Sequence, residues 1–334
     1  MVLGIFTLGY MVYKLGAHEI WENILKTGFW FIPIIGSWLA IYMFNAVAFK
    51  AIIQEPELPK SNLSYWKVLR LTITGYAINY VTPFVALGGE PYRIMELNKT
   101  LGIHKATSSV LLYGMMHVFS HIIFWLLSIF LIVFCVKLDS VMLAGCAAAF
   151  ALGILITIWF IRVYKKGFTV STFKFLQKIP FVKKWAKSFA EEKAETLHEI
   201  DSQIRILYLN RKPRFFKALF YELLARVITC AEIYFTAVAI GLDMNIAEAL
   251  IVSSGSSLFA NLIFFLPMQL GAREGGLALA LESIGLPGQV GIFIGIVTRI
   301  RELFWILIGL LLVRTSSGAA TQLDIEDVPE LLNK

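Results

Sequence analysis

Residues 105–137 read KATSSVLLYGMMHVFSHIIFWLLSIFLIVFCVK, an apolar segment longer than the roughly 20 residues that a helix needs to cross a bilayer. Seven further apolar segments lie at 2–16, 28–54, 68–87, 140–163, 215–241, 246–270 and 287–313. The 334 residues are 58% hydrophobic and 16% charged, with a mean hydropathy of +0.72, which suits a bilayer rather than water as solvent. The sequence therefore predicts an all-α integral membrane protein with about eight membrane segments.

The net charge of +7 indicates membrane topology, because most basic residues fall in loops beside the apolar segments. Nucleic acid is therefore not an expected partner. The loop 165–214 holds twelve Lys or Arg and five acidic residues, which assigns it to the cytoplasm. Between Pro180 and Pro213, apolar residues at helical spacing predict one amphipathic surface helix with its apolar face on the bilayer or the bundle; the alternative is a solvated linker. These apolar residues are Trp185, Phe189, Leu197, Ile200, Ile204 and Leu207.

The segment pattern predicts one polytopic membrane domain, residues 1–314, which includes the basic loop, followed by a short, polar, acidic tail, residues 315–334. The tail is too short for a folded domain, so no soluble catalytic domain is expected. The N-terminus has no basic region and no cleavage site, which predicts that the first segment is retained. Cys135, Cys146 and Cys230 lie in apolar segments and are expected to be packing residues.

Two interruptions of the apolar segments resemble each other. The first is residues 79–93, NYVTPFVALGGEPYR, and the second is residues 261–276, NLIFFLPMQLGAREGG. Each places a glutamate seven residues after a proline, with a glycine before it and an arginine near it. This repetition indicates an internal duplication.

Proline and glycine in both interruptions predict that each segment breaks and restarts as a new helix, forming a broken or re-entrant motif. The restarted helix presents free backbone N–H groups, and Arg93 or Arg273 lies nearby. This combination suits a phosphate or carboxylate headgroup, and paired broken helices are typical of transporter substrate sites. The alternative is an ordinary interhelical turn with a surface Glu–Arg pair.

The runs 83–93 and 267–274, with the arginine-bearing last helix, resemble the membrane region of lysylphosphatidylglycerol synthases, a flippase-like family with stand-alone members. The resemblance extends from the first helix to about Val313 and implies translocation of a lipid between leaflets of a prokaryotic inner membrane. The matching positions are Gly88, Gly89, Glu90, Arg93, Pro267, Gly271, Arg273, Glu274 and Arg299. Met268 and Gln269 depart from the glycines common in the family. Without the soluble aminoacyl-transferring domain, lysine transfer is not expected.

Several charged residues lie within apolar segments, where each charge costs at least about 2.5 kcal/mol unless it is paired or faces water. Arg299 would pair with Glu302, or with Glu274 or Glu90 across the bundle. The alternative to a binding role is a purely structural ion pair. The remaining charged candidates are Arg301, Glu222, Arg226 and Glu232, of which Glu222 and Arg226 are spaced as a local helical pair.

Tyr113, His117 and His121 form a stripe along one helix face. Two histidines four residues apart can bind zinc, but the glutamate of the zinc-protease motif is missing. The stripe is therefore interpreted as polar lining of the bundle, with His117 and His121 as candidates for proton coupling. No metal site and no cofactor are expected.

Three functions agree with these patterns. The first is a lipid flippase that holds an anionic headgroup, of the phospholipid or polyprenyl-phosphate type; the predicted binding residues are Gly88, Gly89, Glu90, Arg93, Pro267, Gly271, Arg273, Glu274, Arg299 and Glu302. The second is a membrane enzyme that modifies a lipid headgroup with Glu90 or Glu274 as base. The third is a non-catalytic scaffold that binds envelope-biogenesis proteins through the basic loop. The sequence favours the flippase and leaves the oligomeric state open.

Overall fold

The computed structural model describes Tyr13 and residues 16–55, 57–82, 88–136, 138–262 and 272–326, with side chains of the last helix described as far as Val313. These residues are almost entirely helical, and no strand occurs among them. Most of the first predicted segment, all of 83–87, and the predicted site residues Pro267 and Gly271 lie outside the described residues.

Thirteen α-helices follow one another along the described part of the chain. The helices are α1 (Ala17–Thr27), α2 (Phe31–Ile53), α3 (Tyr65–Val81), α4 (Gly89–Leu101), α5 (Ile103–Cys135), α6 (Ser140–Lys166), α7 (Phe168–Leu176), α8 (Lys183–Glu192), α9 (Ala194–Leu209), α10 (Lys212–Ala239), α11 (Ile246–Leu262), α12 (Ala272–Ser283) and α13 (Val290–Glu326). Short 3-10 turns lie at Gly28–Trp30 and Pro59–Ser61. The backbone of α13 continues into the predicted tail.

The core of the bundle forms where apolar faces of long helices meet. Helix α2 packs along α10, α13 packs against α3, and α11 packs against α12. At the crossing of α3 and α13, a Cβ on Gly309 would lie 2.3 Å from Ala77 Cβ and 3.1 Å from the Ile73 carbonyl oxygen. Glycine therefore permits the close backbone approach that is common between membrane helices.

The described part of the chain contains three helices long and apolar enough to cross a membrane, at Trp21–Ile53, Ile103–Cys135 and Met142–Lys165. Helix α6, which contains the third of these, lies at the edge of the bundle and exposes Leu152, Leu155 and Trp159. Such a continuous apolar surface is stable in lipid and unfavourable in water. The chain is therefore a helical membrane protein.

The basic loop 165–214 contains the three helices α7, α8 and α9, and the stretch between Pro180 and Pro213, predicted as a single amphipathic helix, is two of them. Phe189 of α8 stacks on Phe173 of α7 and on Trp185 of its own helix, and the Trp185 ring is tilted against Phe173. The apolar residues of α9 are instead buried; they are Leu197, Ile200, Ile204 and Leu207. Only Lys193 separates α8 from α9. The helical spacing of the apolar residues therefore continues from one helix into the next, although the two are separate helices.

Candidate functional site

The first interruption lies between α3 and α4, where α3 ends at Val81 and α4 begins at Gly89. The backbone N–H of Gly89 donates to Asn79 Oδ1 over 2.7 Å, and Asn79 Nδ2 donates to Glu90 Oε1 over 3.2 Å. One side chain of α3 therefore binds both the first backbone N–H of α4 and its first carboxylate. Glu90 in the first turn also interacts favourably with the helix dipole.

Arg93 is buried between α3, α4 and α5. Its Nη1 lies 3.3 Å from Glu90 Oε1, and its Nη2 donates to the carbonyl oxygen of Thr72 over 3.4 Å. The guanidinium also lies 5.0 Å from the ring centroid of Tyr76 and 5.5 Å from that of Tyr113. Aromatic faces stabilise a desolvated guanidinium, so this site holds a cation without a second carboxylate.

Two glycines make room for Arg93. A Cβ on Gly75 would lie 2.2 Å from Arg93 Nε, and a Cβ on Gly89 would lie 2.1 Å from the Gly75 carbonyl oxygen. The sequence pattern identifies Gly89 as a turn residue, but its contact with α3 shows a packing requirement as well. Gly75 is not part of either predicted motif, and only the packing of α3 on α4 identifies it.

The second interruption leads into α12, which begins at Ala272. Arg273 Nη1 contacts Glu302 Oε1 of α13. Arg299 Nη2 lies 3.1 Å from Glu274 Oε1, and Arg299 Nη1 lies 3.5 Å from Glu302 Oε2. The predicted partners Glu302 and Glu274 therefore both contact Arg299, whereas Glu90 pairs with Arg93.

The two motif pairs share an asymmetry of exposure. The side chain of Arg93 is 3% exposed and that of its partner Glu90 is 30% exposed. In the second pair, Arg299 is 3% exposed and Glu274 is 22% exposed. In each of these two pairs, an accessible carboxylate therefore covers a buried arginine, whereas Arg273 of the second motif is 18% exposed and its partner Glu302 is 1% exposed.

Another ion pair, between α10 and α13, is fully enclosed. Arg301 Nε and Nη2 donate to Glu232 Oε1 and Oε2 over 2.8 and 2.9 Å, the forked geometry that guanidinium and carboxylate favour. Trp38 Nε1 donates to Glu232 Oε2 over 2.8 Å, and the Arg301 guanidinium lies 3.6 Å from the centroid of the Trp38 ring. The sequence pattern identifies the two charges but not Trp38, because a contact between distant helices leaves no spacing signal.

His117 joins the two charges of α10. Glu222 Oε2 and Arg226 Nη2 each lie 2.8 Å from His117 Nδ1, so the predicted local pair is instead a group of three side chains. The Tyr76 hydroxyl lies 3.3 Å from the same nitrogen. The ring of His121 lies 5.3 Å from that of His117. Because the Tyr76 ring also faces Arg93, this tyrosine connects the His117 group to the first motif.

Charges balance within these clusters. The arginines are Arg93, Arg226, Arg273, Arg299 and Arg301, and the glutamates are Glu90, Glu222, Glu232, Glu274 and Glu302. Neither 83–87 nor 263–271 contains an ionisable residue, so those stretches add no charge.

Some buried polar atoms still have no hydrogen-bond partner among the described residues, including Glu90 Oε2 and Arg93 Nε. Unpaired polar atoms are costly in the interior, so the first motif has capacity for a further polar group.

The fold and these clusters define a helical membrane protein whose interior holds arginine–glutamate pairs beside the two interruptions of the apolar sequence. The family model of the lysylphosphatidylglycerol synthase TM region matches residues 1–309, so the chain belongs to this family. The match confirms the resemblance inferred from the motifs and ties the chain to lipid or cell-envelope processes. A comparison with curated proteins finds no match, and neither does a comparison with solved structures.

Proposed function

We propose that this protein moves a lipid with an anionic headgroup, of the phospholipid or polyprenyl-phosphate type, between the leaflets of a prokaryotic inner membrane. The observation that carries the proposal is the accessible carboxylate over a buried arginine in both motifs. The proposal includes a multi-pass topology with about eight membrane segments and two re-entrant motifs, since midplane sites in transporters are typically built from interrupted helices.

The charge balance determines how such a headgroup would bind. An anion added to a neutral, buried cluster is unfavourable unless it replaces a carboxylate or arrives with a proton. Glu302 is 1% exposed and contacts Arg273, Arg299 and Arg301, so it remains in place. Glu274 is more exposed, and we propose that the headgroup displaces it from Arg299. Glu90 would yield Arg93 in the same way, while the acyl chains stay in lipid.

Variants of the two motif arginines test this proposal. Purified protein is reconstituted in liposomes with fluorescent phosphatidylglycerol or polyprenyl phosphate, and a membrane-impermeant quencher reports outer-leaflet label. We expect the Arg93→Ala, Arg299→Ala double variant to lose translocation because both anion sites lose a guanidinium. Arg205→Ala, at an exposed position of α9, is the control and should transport as the original chain does. Full transport by a folded double variant would refute the proposal.

We propose transport rather than chemistry for Glu90 and Glu274. Each carboxylate already contacts an arginine that an anionic group could contact in its place: Glu90 contacts Arg93, and Glu274 contacts Arg299. Both residues are therefore better suited to exchange with an anion than to remove a proton from a substrate. An assay for modified lipid in detergent separates the two functions, since transport between leaflets has no meaning there; formation of a product would favour a membrane enzyme.

We further propose that the His117 group couples transport to protons. His117 is faced by Glu222 and Arg226 from α10, Tyr76 from α3, and Tyr113 and His121 from its own helix. A proton gradient should change the translocation rate of the original chain, but not that of His117→Gln. His104→Gln, at an exposed position of α5, is the control and should keep the response. A gradient response that persists in His117→Gln would exclude His117 from coupling.

A further inference from the structure

The α7–α8 hairpin, residues 168–192, is held close to the membrane by its connection to α6. The candidate span Met142–Lys165 ends three residues before α7 begins at Phe168. Gly167, with φ 104°, makes the turn, and a Cβ there would lie 2.4 Å from Asp201 Oδ2. The hairpin therefore begins at the membrane surface without a flexible linker.

Asp201 of α9 fixes the direction of α7. Its carboxylate accepts the backbone N–H of Thr169 over 2.7 Å and that of Val170 over 3.0 Å. The hydroxyl of Thr169 donates to the Leu197 carbonyl oxygen over 2.9 Å. Because α9 is buried against the bundle, these bonds make the base of the hairpin part of the folded core.

An aromatic stack holds α7 and α8 together and leaves the tip exposed. The rings of Phe173 and Phe189 are 5.1 Å apart at an interplanar angle of 13°, and those of Trp185 and Phe189 are 5.5 Å apart. At the tip, the side chain of Phe181 is 100% exposed, and Phe175 is also exposed. The hairpin thus presents an aromatic tip on a rigid base.

Basic residues surround this tip. Between Thr172 and Ser188 the chain carries five lysines and no acidic residue. All five are exposed; they are Lys174, Lys178, Lys183, Lys184 and Lys187. Exposed aromatic rings among lysines complement an anionic bilayer surface, where the ring enters the interface and the ammonium groups meet phosphate.

We propose that the tip of the α7–α8 hairpin docks on the anionic surface of the membrane that the helices cross, with Phe181 inserted at the headgroup level. This interaction uses bulk anionic lipid as its partner. It is separate from the motif arginines and does not depend on whether the protein moves lipids.

Spin-label accessibility in nanodiscs tests the docking. The full chain, with Cys135, Cys146 and Cys230 replaced by alanine, carries a nitroxide on Phe181→Cys or, as a control, on Glu195→Cys, an exposed position of α9. Accessibility to oxygen, which concentrates in lipid, is compared with accessibility to a water-soluble nickel chelate. Discs contain either phosphatidylcholine alone or an equal mixture with phosphatidylglycerol.

The expected result is an oxygen-to-nickel accessibility ratio at position 181 that rises severalfold when phosphatidylglycerol is present, while position 195 remains water-accessible. Adding Lys178→Gln, Lys183→Gln and Lys184→Gln should return position 181 to its phosphatidylcholine value. Water accessibility of position 181 in both lipids would overturn the proposal. Equal insertion in both lipids, or insertion unaffected by the lysine changes, would overturn the role of anionic lipid. Protection from both reagents would indicate a protein contact instead.

Discussion

The Arg301–Glu232 pair and the Arg299–Glu274 pair have the same chemistry in different surroundings. Arg301 forms two bonds with Glu232, and their side chains are 2% and 5% exposed. Arg299 approaches a single oxygen of Glu274, which is 22% exposed. Residue type does not distinguish these two ion pairs, but their geometry and solvent access do. The enclosed pair has the arrangement of a structural contact, whereas the open pair is the one for which we propose exchange of the carboxylate.

Removal of one charge from the enclosed pair should have the largest effect. Glu232→Gln leaves the buried Arg301 guanidinium with only Glu302, which lies 3.9 Å away and also contacts Arg273 and Arg299, and we expect a loss of about 3–5 kcal/mol in stability. Glu274→Gln should cost less than about 1 kcal/mol, since solvent and neighbouring groups compensate at an accessible site. Thermal unfolding in detergent, followed by intrinsic fluorescence, measures both. Equal destabilisation by the two variants would show that the enclosed pair and the open pair contribute alike to stability.

Displacement of a motif arginine without a change of its charge should have an intermediate effect. The methyl group of Gly75→Ala meets Arg93 Nε, so the guanidinium must move, at a cost of about 1–3 kcal/mol for overpacking. We expect a roughly tenfold slower lipid translocation, which corresponds to about 1.4 kcal/mol.

Gly114→Ala is the matched control, because a Cβ at Gly114 meets nothing within 4 Å. This change should leave translocation unaltered and leave α5 as stable or more stable, since alanine favours helix more than glycine does. Normal translocation by Gly75→Ala would show that the position of Arg93 does not limit transport.

An ion pair beyond the end of the first candidate span should show the smallest effect and a dependence on pH. Burial alone would raise the pKa of Glu55, but hydrogen bonds from Lys105 and Arg211 outweigh it and lower the pKa. A lowered folded-state pKa stabilises the protein above the ordinary carboxyl range, and that stabilisation is lost as pH falls through the folded-state value.

Glu55→Gln should therefore cost about 1 kcal/mol at neutral pH, the usual size for a hydrogen-bonded pair, and progressively less in acid. Thermal unfolding over a pH series measures the difference. Glu57→Gln serves as the control, since Glu57 contacts Arg211 from an exposed position and should change stability little. A cost for Glu55→Gln that is independent of pH would exclude ionisation as its cause.

Local sequence signals identify the charged members of the site. Proline, glycine and glutamate at matching offsets indicate both interruptions, and depth in an apolar segment identifies Arg299 and Glu302. Partners on other helices carry no such signal. Asn79, Gly75 and Trp38 are ordinary residues of apolar helices until the packing of the bundle brings them to Glu90, Arg93 and Glu232.

The basic loop shows that the spacing of apolar residues does not predict where one helix ends and the next begins. A 3.6-residue pattern reports which residues share a face, but it does not distinguish one helix from two whose apolar faces stay in phase. The lone residue Lys193 between α8 and α9 preserves that phase. The apolar residues on the two sides of Lys193 nevertheless have different surroundings. The rings on α8 pack against Phe173 of α7, and the aliphatic side chains of α9 enter the core.

The contact of Gly309 with Ala77 and the Ile73 carbonyl joins α3 and α13, and each of these two helices holds the carboxylate of one motif pair. Helix α3 carries Asn79, which holds Glu90, and α13 carries Arg299, which holds Glu274. Because Gly309 meets only the Ala77 methyl group and the Ile73 carbonyl oxygen here, few side-chain atoms lie between the two helices to absorb a small displacement. We therefore expect a tilt of α3 to displace α13, so that the Glu90–Arg93 and Glu274–Arg299 pairs move together.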